Sequence, residues 1–81
     1  MKYALFIYHK EKRGHEKWQY RDEVKTGNPD AWLTDYFKKI YGYEVKGGTC
    51  LDAQVKINGT KFKSLYVVYG GGFEMALAER K

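Results

Sequence analysis

Asn58-Gly59, set between two alternating runs, constrains this chain more than any other feature. A type I′ hairpin turn needs φ > 0 at both central positions, and Asn-Gly meets that demand at little steric cost. The stretch from Thr49 to Tyr69 therefore reads as two strands joined by a two-residue turn. The turn sets the register. Ile57 faces Thr60, Val55 faces Phe62, Ala53 faces Ser64 and Leu51 faces Tyr66. One face of the hairpin is apolar. The other carries Lys56 opposite Lys61, with Gln54 beside Lys63. Like charges directly opposite one another are destabilising, so this face is expected to stay in solvent or to meet an anion.

The rest of the chain supplies partners for that hairpin. Lys2 to His9 is a strand with Tyr3, Leu5 and Ile7 on one face and Ala4, Phe6 and Tyr8 on the other. Both faces are apolar, which places it centrally in a sheet. His9 to His15 is a polar turn. Glu16 to Val24 then alternates, with Trp18, Tyr20, Asp22 and Val24 against Lys17, Gln19, Arg21 and Glu23. A hairpin with a charged tip follows. Asn28-Pro29 starts a helix over 29–41: Asn28 is a good N-cap, and at Pro29 the missing N–H costs nothing. Trp32, Leu33, Tyr36, Phe37 and Ile40 form one apolar stripe at helical spacing, and Gly42 suits the residue just past the helix. After Gly70-Gly71-Gly72, residues 73–81 alternate as a strand does but are rich in helix formers. A return strand is preferred over a short helix.

These elements predict an α+β fold: a small antiparallel sheet in the order ββαββ, plus a C-terminal strand or short helix, packed on one face by a single helix at about 29–41. The expected core is Leu5, Ile7, Trp32, Leu33, Phe37, Ile40, Leu51, Val55, Phe62, Tyr66 and Val68. One domain over 1–81 fits the length. No apolar run is long enough to span a bilayer. MKYALFIYHK has no small-residue cleavage site, so it does not read as a signal peptide. Cys50 is the only cysteine, which suits a reducing compartment and a cytoplasmic location.

The chemistry-bearing residues are weighed against plainer roles. His9 and His15 lie too far from Cys50 in sequence for a zinc cluster and read as two solvated histidines flanking a turn. Cys50 reads as an inert, partly buried thiol. Gly70-Gly71-Gly72 lacks the Lys-Ser/Thr that follows a phosphate-cradling loop. Asp30 and Asp35 serve the helix, at its positive end and in a pair with Lys39. No catalytic residue, cofactor or metal is expected.

Charge and aromaticity remain. The net charge is +5, with a sequence pI of about 9.3. Such a balance favours nucleic acid or an acidic protein surface as partner, or simply keeps an aromatic-rich domain soluble. Lys10, Lys12, Arg13, Lys17 and Arg21 lie along the first hairpin, Lys56, Lys61 and Lys63 on the second, and Trp18 and Tyr20 are interleaved with cations. This is the pattern of proteins that stack bases on aromatics and hold the backbone with cations. Leu5-Phe6-Ile7-Tyr8 is similar to the first RNA-contacting strand motif of RNA recognition motif domains, and Lys63 to Tyr69 is loosely similar to the second. Those domains run βαββαβ. This chain lacks room for the second helix and last strand and adds a strand before its helix, so the likeness stops at two segments.

The leading expectation is a non-catalytic small binding protein that contacts RNA or DNA through the Lys-rich hairpin face. The alternative is a small protein-binding inhibitor or modulator of a larger host complex, such as a nucleic-acid enzyme, as phages and mobile elements often encode. Its anchors would be exposed aromatics among Trp18, Tyr20, Tyr41 and Tyr43. A homodimer formed through a sheet edge or an uncovered sheet face is a third reading.

Overall fold

A computed structural model describes residues 2–8, 18–51 and 54–80. The elements run β1 (Lys2–Tyr8), β2 (Trp18–Lys25), α1 (Pro29–Tyr41), β3 (Gly47–Leu51), β4 (Val55–Ile57), β5 (Thr60–Phe62), β6 (Ser64–Gly70) and β7 (Phe73–Glu79). Five strands form an antiparallel sheet in the order β2-β1-β7-β6-β3, and β4 and β5 form a separate two-stranded sheet. The α+β expectation is met, and the C-terminal segment is the strand preferred from its alternation.

Strand β7 occupies the middle of the sheet because both its faces can be covered. Met75 and Leu77 point to one side, where they join Tyr3, Leu5, Ile7, Val24, Leu33, Phe37 and Val68 in a buried cluster beneath α1. Ala76 and Ala78 point to the other side. They join Ala4, Phe6, Ile57, Phe62 and Leu65 in a second buried cluster. The alternation of large and small side chains gives the two faces different depths. The helix fits over the large residues, and the β4–β5 hairpin settles on the alanine floor.

The helix starts as its sequence dictates. Asn28 Oδ1 accepts the Ala31 backbone N–H at 3.2 Å, and Pro29 opens the first turn. The helix ends at Gly42, whose φ of 74° is the left-handed conformation, and the Gly42 N–H bonds the Lys38 carbonyl at 2.8 Å. Leu33 and Phe37 are fully buried, whereas Ile40 is 44% exposed. Ile40 was expected in the core. The helix face turned to the sheet carries Leu33, Phe37 and Tyr41, and Ile40 lies off that face.

The Asn58-Gly59 turn has the expected conformation, with φ of 51° and 84°. The pairs Val55↔Phe62, Lys56↔Lys61 and Ile57↔Thr60 are as predicted. The rest of the long hairpin is not. Leu51 pairs with Leu65 instead of Tyr66, because three residues separate Leu51 from Val55 while only two separate Phe62 from Leu65. The unequal lengths let the tip leave the plane of the large sheet and fold across its alanine face. Leu51, expected in the core, is 43% exposed on the edge strand. The sheet is thus covered on both faces, not on one. The expected Ala53–Ser64 pair lies outside the described residues.

Strand β2 departs from simple alternation as well. Leu5 pairs with Asp22 but Phe6 pairs with Tyr20, which leaves Arg21 as a bulge. The extra residue reverses the facing of everything after it. Trp18 and Tyr20 lie on the hairpin side of the sheet, whereas Val24 lies on the helix side in the buried cluster.

Phe62 pins the hairpin: its ring meets Phe6 edge-on at 5.6 Å, and the Arg80 guanidinium lies 5.3 Å above it. Phe62→Ala should lower stability by about 3–5 kcal/mol, the usual cost of truncating a buried aromatic. Ala76→Leu should cost about 1–3 kcal/mol by overfilling the same space. Urea denaturation measures both, and a midpoint unchanged by either would contradict the docked hairpin.

Candidate anion-binding interface

Because Val55, Ile57 and Phe62 face the sheet, the intervening residues must face away from it. Lys56 and Lys61 are directly opposed on the outer face of the hairpin and both are exposed. Among the described residues, neither lies within ion-pair distance of a carboxylate. Lys63 follows, with its ammonium 4.0 Å from Glu79 Oε2. Glu79 is itself buried and accepts the Ser64 hydroxyl at 2.8 Å.

A second lysine pair lies on the same side. Lys2 is opposite Lys25 at the end of the β1–β2 ladder, and both are exposed. Pairing places them on the face that carries Ala4 and Glu23, which is the hairpin side. Arg80 also reaches this side but is neutralised. Its Nε and Nη2 donate to Glu23 Oε1 and Oε2 at 3.2 and 2.6 Å. These bonds hold the Glu23 carboxyl below the usual carboxylate range, against partial burial, with a smaller contribution from the Tyr20 hydroxyl. The Tyr20 hydroxyl donates to Glu23 Oε2 at 2.9 Å.

The expected binding residues divide into three groups. Trp18, Tyr20, Lys56 and Lys61 are brought to the hairpin side, whereas Lys63 reaches Glu79, which lies on the helix-side face of β7 with Met75 and Leu77. The hairpin tip meets this set directly, since Asn58 Nδ2 donates to the Trp18 carbonyl at 2.8 Å. Trp18 is half-buried and edge-on to Tyr8 at 5.1 Å, while Tyr20 is 52% exposed. Arg21 is not with them: the bulge turns it to the helix side, where it lines a groove with Asp22, Trp32 and Tyr36. Lys10, Lys12, Arg13 and Lys17, with His9 and His15, lie outside the described residues. Lys2 and Lys25 were missed, because their pairing depends on the bulge. Phe6 and Leu5, which carried the likeness to RNA-contacting strands, are buried and offer no surface for a base.

The opposite side has a different character. Tyr41 and Phe73 stack at 4.2 Å, and Tyr43 stacks on Phe73 at 5.8 Å. Tyr43 and Phe73 are exposed and Tyr41 is half-buried, at the end where α1 finishes and β7 begins. Alongside them, a groove between α1 and edge strand β3 is lined by Asp30, Thr34, Val45, Lys46 and the β3 backbone from Gly47 to Cys50. Cys50 is exposed, not partly buried as expected.

Among the described residues, no group of three or more His, Cys, Asp or Glu side chains is placed to hold a metal. No described helix is long and apolar enough to cross a membrane. No protein-family model, curated protein or solved structure matches this chain.

The Glu23–Arg80 bond has a pH consequence. A lowered carboxyl pKa stabilises the fold above the ordinary value of about 4.3, and that stabilisation disappears as pH falls through the folded value. Arg80→Gln should raise the Glu23 midpoint towards the ordinary range, read by carboxyl carbon NMR titration. An unmoved midpoint would show that Arg80 does not set it.

Proposed function

We propose that this is a non-catalytic binding domain that takes a nucleic-acid backbone on its hairpin side. The observation that supports the reading is a pair of directly opposed lysine pairs, Lys56↔Lys61 and Lys2↔Lys25, on one side of the sheet. Each pair works against folding, because like charges opposite one another repel. A phosphate backbone relieves that repulsion and releases its own counterions as it binds. Tyr20 supplies an exposed ring on the same side for a base or sugar.

A second reading, a protein-binding modulator, draws support from the exposed Tyr43 and Phe73 rings stacked on one another, since exposed aromatics are frequent interface anchors. The two readings use opposite sides of the sheet and separate cleanly by mutation. Phe73→Asp leaves a nucleic-acid affinity unchanged and removes a protein-binding one.

Fluorescence anisotropy of a labelled single strand and a labelled duplex tests the first reading. Affinity should fall linearly on a log–log salt plot, and Lys56→Glu with Lys61→Glu should abolish binding. No binding at low salt would overturn it and leave the protein-binding reading.

A single change separates function from folding. Lys61→Glu places a carboxylate opposite Lys56, so it should leave stability unchanged or raise it by about 0.2–1 kcal/mol. The same change should weaken binding. Thermal melts and anisotropy on one sample show both, and a fall in stability would contradict the repulsion.

A further inference from the structure

We infer that edge strand β3 is the interface through which two copies of this chain pair, antiparallel, about a two-fold axis at Thr49. The two edges of the sheet are built differently. β2 carries Arg21, Asp22, Glu23 and Lys25 and a bulge, the usual devices that keep an edge from pairing. β3 reads Gly-Gly-Thr-Cys-Leu, has no charge, and pairs with β6 in unbroken register. Its outer edge presents alternate backbone N–H and C=O groups, and among the described residues no strand pairs with it.

The surroundings of β3 select a second copy as the occupant. Lys46 immediately precedes Gly47, at the start of the strand. Asp30 lies at the other end of the groove. The five residues 42–46 tie the end of α1 to the start of β3, so the first turn of α1 points towards the end of β3. The groove is therefore positive at one end and negative at the other. A two-fold axis reverses it, setting Asp30 of each copy towards Lys46 of the other.

The apolar groups match under the same rotation. With Thr49 opposite Thr49 of the second copy, Gly48 meets Cys50 of that copy and Gly47 meets Leu51. The Tyr69 ring lies over Gly47, where a Cβ would come within 2.5 Å of its Cζ. Leu51 and Tyr69 are both exposed in the single chain and would cover one another in the pair. A facing Thr–Thr pair is itself favourable. The paired sheets put both hairpins on one side and both helices on the other, so Lys56 and Lys61 of the two copies face the same way.

Five residues make a short interface beside the roughly 1,200–2,000 Å² of a stable one, so the dimer is expected to dissociate on dilution. Sedimentation velocity on the full chain should show a species of twice the 9.5 kDa monomer mass growing with concentration. Thr49→Lys should abolish it without changing the thermal melt, since Thr49 is exposed. The register is tested by cysteine cross-linking in a Cys50→Ser background with oxidised glutathione. Only a residue on the axis meets itself, at the roughly 4.5–5.5 Å between Cα atoms that a disulfide allows. Thr49→Cys should cross-link into a dimer, and Leu51→Cys, which opposes Gly47, should not. A monomer persisting to about 1 mM, or cross-linking at 51 as fast as at 49, would overturn the inference. Because these readouts involve no nucleic acid, they stand or fall apart from the binding proposed above.

Discussion

The contact between Phe62 and the alanine face of the sheet is the one on which the other features depend. It holds the hairpin as a second layer, and that layering decides what each residue of the hairpin does. With Phe62, Val55 and Ile57 turned inward, Lys56 and Lys61 have nowhere to go but outward. The alternation of β7 is the other half of this contact. Met75 and Leu77 support the helix, while Ala76 and Ala78 leave depth for an aromatic ring. In a chain of this size neither face can be left bare, because surface is large relative to volume.

Electrostatics then divides the molecule into two sides. The hairpin side concentrates cations, and its principal exposed carboxylate, Glu23, is engaged by Arg80. The helix side is mixed, with Lys38 and Glu44 paired at 2.7 Å and Asp30 and Lys46 at opposite ends of one groove. The lysine pairs bring no local gain in stability. On the function proposed above, the same arrangement would receive an anion, and pairing of β3 edges would double that surface on one side of a continuous sheet.

Much of this fold is legible in the residues. Asn58-Gly59 gives the turn and the register near it, since φ > 0 at both positions leaves few alternatives. Asn28, Pro29 and Gly42 mark the ends of α1 by their own local chemistry. What escapes reading is set by long-range packing. The bulge at Arg21 appears only when β2 is laid against β1, and without it Lys2 and Lys25 cannot be recognised as a pair. The shift from Leu51↔Tyr66 to Leu51↔Leu65 follows from the hairpin tip leaving the sheet, which its alternation cannot announce. The alternating sizes in Met75-Ala76-Leu77-Ala78 were a visible signal of a strand buried on both faces. Exposed lysines were found readily because the strand period alone puts them opposite the apolar residues. Their pairing with a second set of cations needed the sheet order.

The most direct test of the two-layer arrangement is a nuclear Overhauser experiment on the methyl and aromatic protons of the folded chain. The account predicts contacts from the Phe62 ring to Phe6 and to the methyls of Ala76 and Ala78. The aliphatic protons of Lys56 and Lys61 should show contacts to one another across the hairpin and none to those alanines. A hairpin lying in the plane of the large sheet would lack the Phe62–alanine contacts, and that result would contradict the account.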